Sequence, residues 1–78
     1  MPWIVWIKLN GERTEIAAAG DIAPGGTLTV TGLLTQLQID SRRVAVELNL
    51  VVLKRDAFAS TMLRDGDEVE IVNFVGGG

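Results

Sequence analysis

The sequence predicts an α+β fold, a small mixed sheet with one main helix packed on one face. Three observations carry that expectation. Two β-prone runs, WIVWIKL and ERTEIAA, flank Asn10-Gly11, a dipeptide whose tolerance of positive φ suits a type I′ hairpin turn. The segment TVTGLLTQLQI carries Val30, Leu33, Leu34 and Leu37 at spacings of three, one and three, which is one face of a helix. Two later runs, RRVAVELNLVVL and EVEIVNF, return to a period of two. One helix on one face of a sheet is the economical two-layer way to bury such stripes.

Taken in order, the hairpin comes first. Alternation places Val5, Ile7 and Leu9 on one face and Ile4, Trp6 and Lys8 on the other, because successive side chains of a strand point to opposite sides. The face ending in Lys8 and Asn10 is the wetter one, so Trp6 is expected to be partly buried. GDIAPGGTL follows, and its glycines and proline mark a loop. Thr29 or Thr27 is placed to cap the helix, since a threonine hydroxyl accepts a free backbone N–H of the first turn. Gly32 weakens that helix by about 1 kcal/mol relative to alanine.

Beyond the helix, Val44, Val46 and Leu48 alternate with Ala45, Glu47 and Asn49. Asn49 interrupts the run and LVVLKR forms a short second strand. DAFASTML reads as a single helical turn or a packed loop, anchored by Phe58 and by Met62 or Leu63. Asp65-Gly66-Asp67 then turns the chain into a last strand. There Val69 and Ile71 face the helix, while Val72 and Phe74 fall on the side of Glu68 and Glu70. An apolar pair on that side is either shielded by a neighbouring strand or, with Val75, presented to a partner.

Composition narrows the chemistry. The 78 residues are 47% hydrophobic and contain neither cysteine nor histidine. That excludes disulfides and thiolate metal sites, and it removes the usual general base and the commonest metal ligand. A conventional enzyme would have to work with carboxylates, Lys8, Lys54 and hydroxyls, so no catalytic residue and no metal ligand is assigned. The net charge of −3, with no cluster of cations to neutralise a run of phosphates, disfavours nucleic acid and fits a basic protein partner better. MPWIVWIKLNGE is apolar but too short for a signal segment and lacks a basic start. No stretch approaches the length of a membrane span. A soluble, cytoplasmic protein is expected.

The run EIVNFVGGG divides the chain into a domain of residues 1–75 and a flexible glycine tail of residues 76–78. The tail is open to three readings: a frayed terminus, a cloning remnant, or a reactive terminus. For the third, glycines suit a narrow channel because they lack Cβ and adopt backbone angles closed to other residues. The terminal carboxylate, with an ordinary pKa of about 3.3–3.7, is ionised at neutral pH. Held in line with the α-phosphate of Mg-ATP by a partner enzyme, it would displace pyrophosphate and become open to attack by sulfur or an amine.

Together RRVAVELN, KRDAF, LRDGDEVEIVNFVGGG and the hairpin–helix opening resemble the ThiS-type sulfur carrier proteins of thiamine biosynthesis. These are small, ubiquitin-like β-grasp proteins ending in Gly-Gly. The resemblance spans essentially the whole chain and is densest from Val44 to Gly78. It implies that the Gly78 carboxyl is adenylated and converted to a thiocarboxylate, and that Gly77, with Gly76, threads a partner's active site. It implies no bound cofactor, the Mg-ATP being used by a ThiF- or MoeB-like adenylyltransferase. The implied sulfur source is a cysteine desulfurase relay, and the implied acceptor a ThiG-like thiazole synthase. Arg55 and Asp65-Gly66-Asp67 match recurrent positions that read as structural. The chain departs from the family at Leu50 and Lys54, where a glycine and a proline are frequent, and MPWIVW runs beyond the shortest members. Other clients of the same chemistry stay open: molybdopterin synthase (as its small subunit), tRNA thiolation or cysteine synthesis. So do a ubiquitin-like modifier and a passive interaction module.

Overall fold

A computed structural model describes residues 3–18 and 28–74. Strands β1 (Trp3–Leu9) and β2 (Glu12–Ala18) form the expected hairpin, paired from Trp3↔Ala18 to Leu9↔Glu12. Its two turn residues take φ of 48° at Asn10 and 87° at Gly11, as a type I′ turn demands. The GDIAPGGTL loop falls mostly outside the described residues. Strand β3 (Leu28–Thr29) leads directly into helix α1 (Val30–Gln36). Thr29 is the cap: its Oγ1 accepts the Gly32 amide at 3.0 Å. Gly32 also makes room for a neighbour, since a Cβ there would stand 2.9 Å from Leu28 Cδ1.

After a 3-10 turn at Ser41–Arg43 come β4 (Val44–Leu48) and β5 (Val51–Leu53). A second 3-10 turn, Arg55–Ala57, precedes β6 (Met62–Leu63) and β7 (Glu68–Asn73). The main sheet has the order β2-β1-β7-β4-β5. Among the described residues only β1 and β7 pair in parallel, through Lys8↔Glu68 and Leu9↔Val69; β7 and β4 run antiparallel from Val44↔Asn73 to Leu48↔Val69. This mixed sheet with one covering helix is the expected α+β layout.

A second ladder was not foreseen. β3 and β6 pair antiparallel through Leu28↔Leu63 and Thr29↔Met62. Strands of two residues carry no readable period, so the sequence showed only loop and turn there. The ladder decides the anchors of DAFASTML: Phe58 and Leu63 are buried, whereas Met62 is exposed.

The core lies between α1 and one face of the sheet. Val30, Leu33 and Leu34 of the helix meet Val5, Ile7, Ile16, Val44, Val46 and Val69 of the strands. Each such aliphatic side chain gains about 1.5–3 kcal/mol from leaving water. The opposite strand positions stay wet, as alternation requires: Ile4, Lys8, Glu68 and Glu70 are exposed. Trp6 is half-buried, flanked by the Arg13 guanidinium 4.4 Å from its ring centroid and by Gly66.

The Asp65-Gly66-Asp67 turn is a structural brace, as expected. Asp65 Oδ1 accepts the Trp6 amide at 3.0 Å, and the Gly66 amide donates to Trp6 O at 2.9 Å. Asp67 accepts the Arg64 amide at Oδ2 and the Asn49 side-chain amide at Oδ1. Gly66 has φ of 88°, a left-handed conformation that glycine adopts without strain. Arg55 is likewise structural, its Nη2 donating to Arg42 O at 3.2 Å and tying the two 3-10 turns together.

Candidate functional site at the end of the last strand

Strand β7 is built in two halves. Val69 is fully buried and Ile71 packs against the core, so this half fixes the strand's position and rotation. Its neighbour β1 stops at Leu9, and the Asn10 side chain takes over. Asn10 Oδ1 accepts the Ile71 amide at 2.8 Å, and its Nδ2 donates to Ile71 O at 3.4 Å. The turn residue thus extends the sheet by one pseudo-strand position. Sequence reading recognises Asn10 only as a turn former, because this second role depends on the register of a strand 61 residues away.

From Val72 onward β4 alone flanks the strand among the described residues. Val72 pairs with Ala45, Asn73 with Val44, and the Phe74 amide donates to Arg43 O at 2.9 Å. Val72 and Phe74 are each 55% exposed. No neighbouring strand shields their outward face, so the covering element weighed from the sequence is missing among the described residues. The expectations on Val75, Gly76, Gly77 and Gly78, and with them the boundary between domain and tail, lie outside the described residues.

Cations border this exit. Arg42 and Arg43 precede β4 with side chains 79% and 82% exposed; Lys54 and Arg55 follow β5 and are exposed as well. Asp40 caps the first 3-10 turn by accepting the Arg42 amide at 2.9 Å, and its Oδ2 lies 3.0 Å from Arg42 Nη2. The hydrogen bonds from Arg42 hold the Asp40 carboxyl down at about 2 and raise the guanidinium in turn.

The other end of the same sheet face is acidic. Glu47, Glu68 and Glu70, with Lys8, Gly11 and Leu50, line a groove of about 140 Å³. Glu47 and Glu70 sit directly opposite each other across β4 and β7. Among the described residues no salt bridge joins Lys8 to these glutamates, and the chain has neither histidine nor cysteine.

Comparison with known proteins decides what this arrangement belongs to. Residues 7–78 match the model of the ThiS family. The chain belongs to the ThiS family.

Two of its relatives differ in length. It is 38% identical over 52 residues to the Sulfur carrier protein ThiS of Bacillus subtilis, covering 67% of this chain and 79% of that one. It is also 41% identical over 72 residues to a Thiazole synthase of Paramagnetospirillum magneticum, covering 92% of this chain but only 20% of that protein. The chain therefore spans about a fifth of the thiazole synthases that it matches. Among solved structures it is similar to the crystal structure of a thiamine biosynthesis protein (ThiS) from Geobacter metallireducens. That match has 37% identity and a TM-score of 0.70, with 95% of this chain and all of that one covered. The expected β-grasp fold is thereby shown for this member of the ThiS family.

The departures from the ThiS pattern have local consequences. Asn49 and Leu50 form the β4–β5 turn with φ of 51° and 70°, the twin positive values of a type I′ turn. Leu50 therefore holds a conformation suited to the glycine that is frequent there, and it is 82% exposed. Lys54 stands before the second 3-10 turn and makes no side-chain cap hydrogen bond.

Proposed function

We propose that this sulfur carrier is a protein cosubstrate rather than a catalyst, and that its reacting group is the Gly78 carboxyl. A carboxylate oxygen attacks the α-phosphate of ATP on a ThiF- or MoeB-like adenylyltransferase and displaces pyrophosphate. A sulfur nucleophile then attacks the acyl carbon and displaces AMP. Free hydrosulfide gives the thiocarboxylate directly. When the sulfur comes from a cysteine desulfurase relay, the attacking persulfide forms an acyl disulfide, which a second thiol cleaves to release the thiocarboxylate and a disulfide. The sulfur then passes to a ThiG-like thiazole synthase, for the thiazole of thiamine. The observation that carries this reading is a family match running through Gly76, Gly77 and Gly78. Two others support it. The chain has neither histidine, the most frequent general base, nor cysteine, the most readily activated nucleophile, which fits chemistry performed in a partner's active site. Relatives of this chain within longer proteins are named thiazole synthases, which fits a carrier that works beside that enzyme.

The test is direct. The protein is incubated with an adenylyltransferase of this type, Mg-ATP and sulfide, and its intact mass is recorded. Exchange of one oxygen for one sulfur, located at Gly78 by fragmentation, is the expected result. An unchanged mass beside an enzyme that converts another carrier would refute the proposal. Deleting Gly78 is expected to abolish the exchange and leave the thermal midpoint within error of the parent, because among the described residues of β7 the packing against the core ends at Ile71. Conjugates to lysines of other proteins that survive reducing denaturing gels would favour a modifier instead.

A further inference from the structure

The fold sorts charge along the sheet. Residues 40–43 and 54–56 hold four cations against two carboxylates, Asp40 and Asp56, while the rest of the chain holds three cations against eight carboxylates. The cationic group lies at the exit of β7 because three contacts bring it there. Phe74 bonds to Arg43, Arg55 bonds to Arg42, and β5, paired with β4 through Val46↔Leu53, delivers Lys54 to the same end. Glu47, Glu68 and Glu70 lie toward the other end of β7. A protein that is acidic overall thus turns a positive end outward at one place.

We propose that Arg43 and Lys54, supported by Arg42 and Arg55, are an electrostatic docking collar for an adenylating enzyme whose tail-binding channel is rimmed with carboxylates. The proposal rests on the Gly78 reading above. Gly78 lies four residues beyond Phe74, a reach of at most about 14 Å even when fully extended. If the Gly78 carboxyl enters an active site, the residues around Phe74 stand at its mouth. The positive end then faces the rim, and the acidic groove lies further along the sheet, toward the start of β7. Fields of this kind orient a partner during approach and raise its association rate, and salt screens them. Arg42 is largely committed to Asp40, and Arg55 to the Arg42 carbonyl. Arg43 is freer, its Nε 4.0 Å from Asp40, and Lys54 forms no salt bridge among the described residues.

The experiment compares adenylation of the whole chain by a purified adenylyltransferase, read as pyrophosphate release. The test variant is Arg43→Glu/Lys54→Glu. Its control, Lys8→Glu/Arg64→Glu, makes the same change in net charge on exposed residues away from the exit. The test variant is expected to lose at least about tenfold in kcat/KM at low salt with kcat unchanged, and most of that loss disappears by roughly 0.5 M salt. The control stays within about twofold of the parent, since scattered surface charges contribute little to steering. Arg43→Gln/Lys54→Gln is expected to fall between parent and test variant, and it carries the test should the glutamate pair fail to fold. Equal losses in test and control, unchanged kcat/KM, or a loss that persists in kcat at high salt would each overturn the collar. A parent that is never turned over, by an enzyme active on another carrier, overturns the Gly78 reading and the collar with it. Turnover of the parent with indifferent variants overturns the collar alone.

Discussion

Leu50 is held at φ of 70° with 82% of its surface in water. A left-handed backbone costs an L-residue roughly 1–2 kcal/mol, and so exposed a side chain recovers little by packing. Leu50→Gly is therefore expected to raise stability by about 1 kcal/mol in urea unfolding, the extra freedom of glycine in the unfolded chain offsetting part of the gain. A lower midpoint would mean that Leu50 packs more than its exposure indicates. Asp40 offers a second test at this scale. Its folded pKa of about 2 lies below the ordinary 3.8 because Arg42 hydrogen-bonds its ionised form. A depressed carboxylate stabilises the fold above its unfolded pKa, and that contribution disappears as pH falls through the folded value. The stability difference between the parent and Asp40→Asn should thus be constant above about pH 5 and shrink toward pH 2. A difference that grows on acidification would contradict the assignment.

Strand β7 shows how one element serves two purposes. Val69 and Ile71 anchor it, and the Asn10 amide clamps it where β1 has ended. Asn10→Gly keeps a residue that tolerates φ of 48° but removes both side-chain hydrogen bonds. It is expected to lower stability by about 1 kcal/mol. Hydrogen exchange should accelerate first at the Ile71 amide, the proton that Asn10 Oδ1 accepts. Uniform acceleration across the sheet would show that Asn10 matters to the hairpin turn rather than to β7. At the same scale, the β3–β6 ladder explains why Phe58 and Leu63, and not Met62, close the core.

For the whole molecule, the core face and the outer face of the sheet have separable roles. Phe74 is 55% exposed and lies beyond the last buried side chain of β7, so Phe74→Asp should change stability by less than about 0.5 kcal/mol. If Val72 and Phe74 form the docking surface, the same substitution weakens association with the adenylating enzyme severalfold or more, measured by titration calorimetry. Lost stability with unchanged association would place Phe74 in the core instead. The docking collar predicts a salt dependence that this apolar contact does not share, so the two contributions can be measured apart.

Local sequence signals were enough for the fold class, the hairpin at Asn10-Gly11 and the buried stripes of α1, β4 and β7, and they offered Thr29 or Thr27 as the helix cap. These follow from local periodicity and turn chemistry, which act over a few residues. The sequence also placed Val72 and Phe74 on the wet face, since alternation along one strand needs no knowledge of its neighbours. The glycine tail was visible in the sequence but open to three readings there, and the resemblance to ThiS-type carriers singled out the reactive one. The remainder depends on long-range packing. It set the parallel pairing of β1 with β7, the Asn10 clamp on Ile71, the two-residue ladder of β3 with β6, and the gathering of residues 42–43 and 54–55 beside Phe74. Each joins segments distant along the chain through hydrogen bonds whose register is set by the packing of the common core.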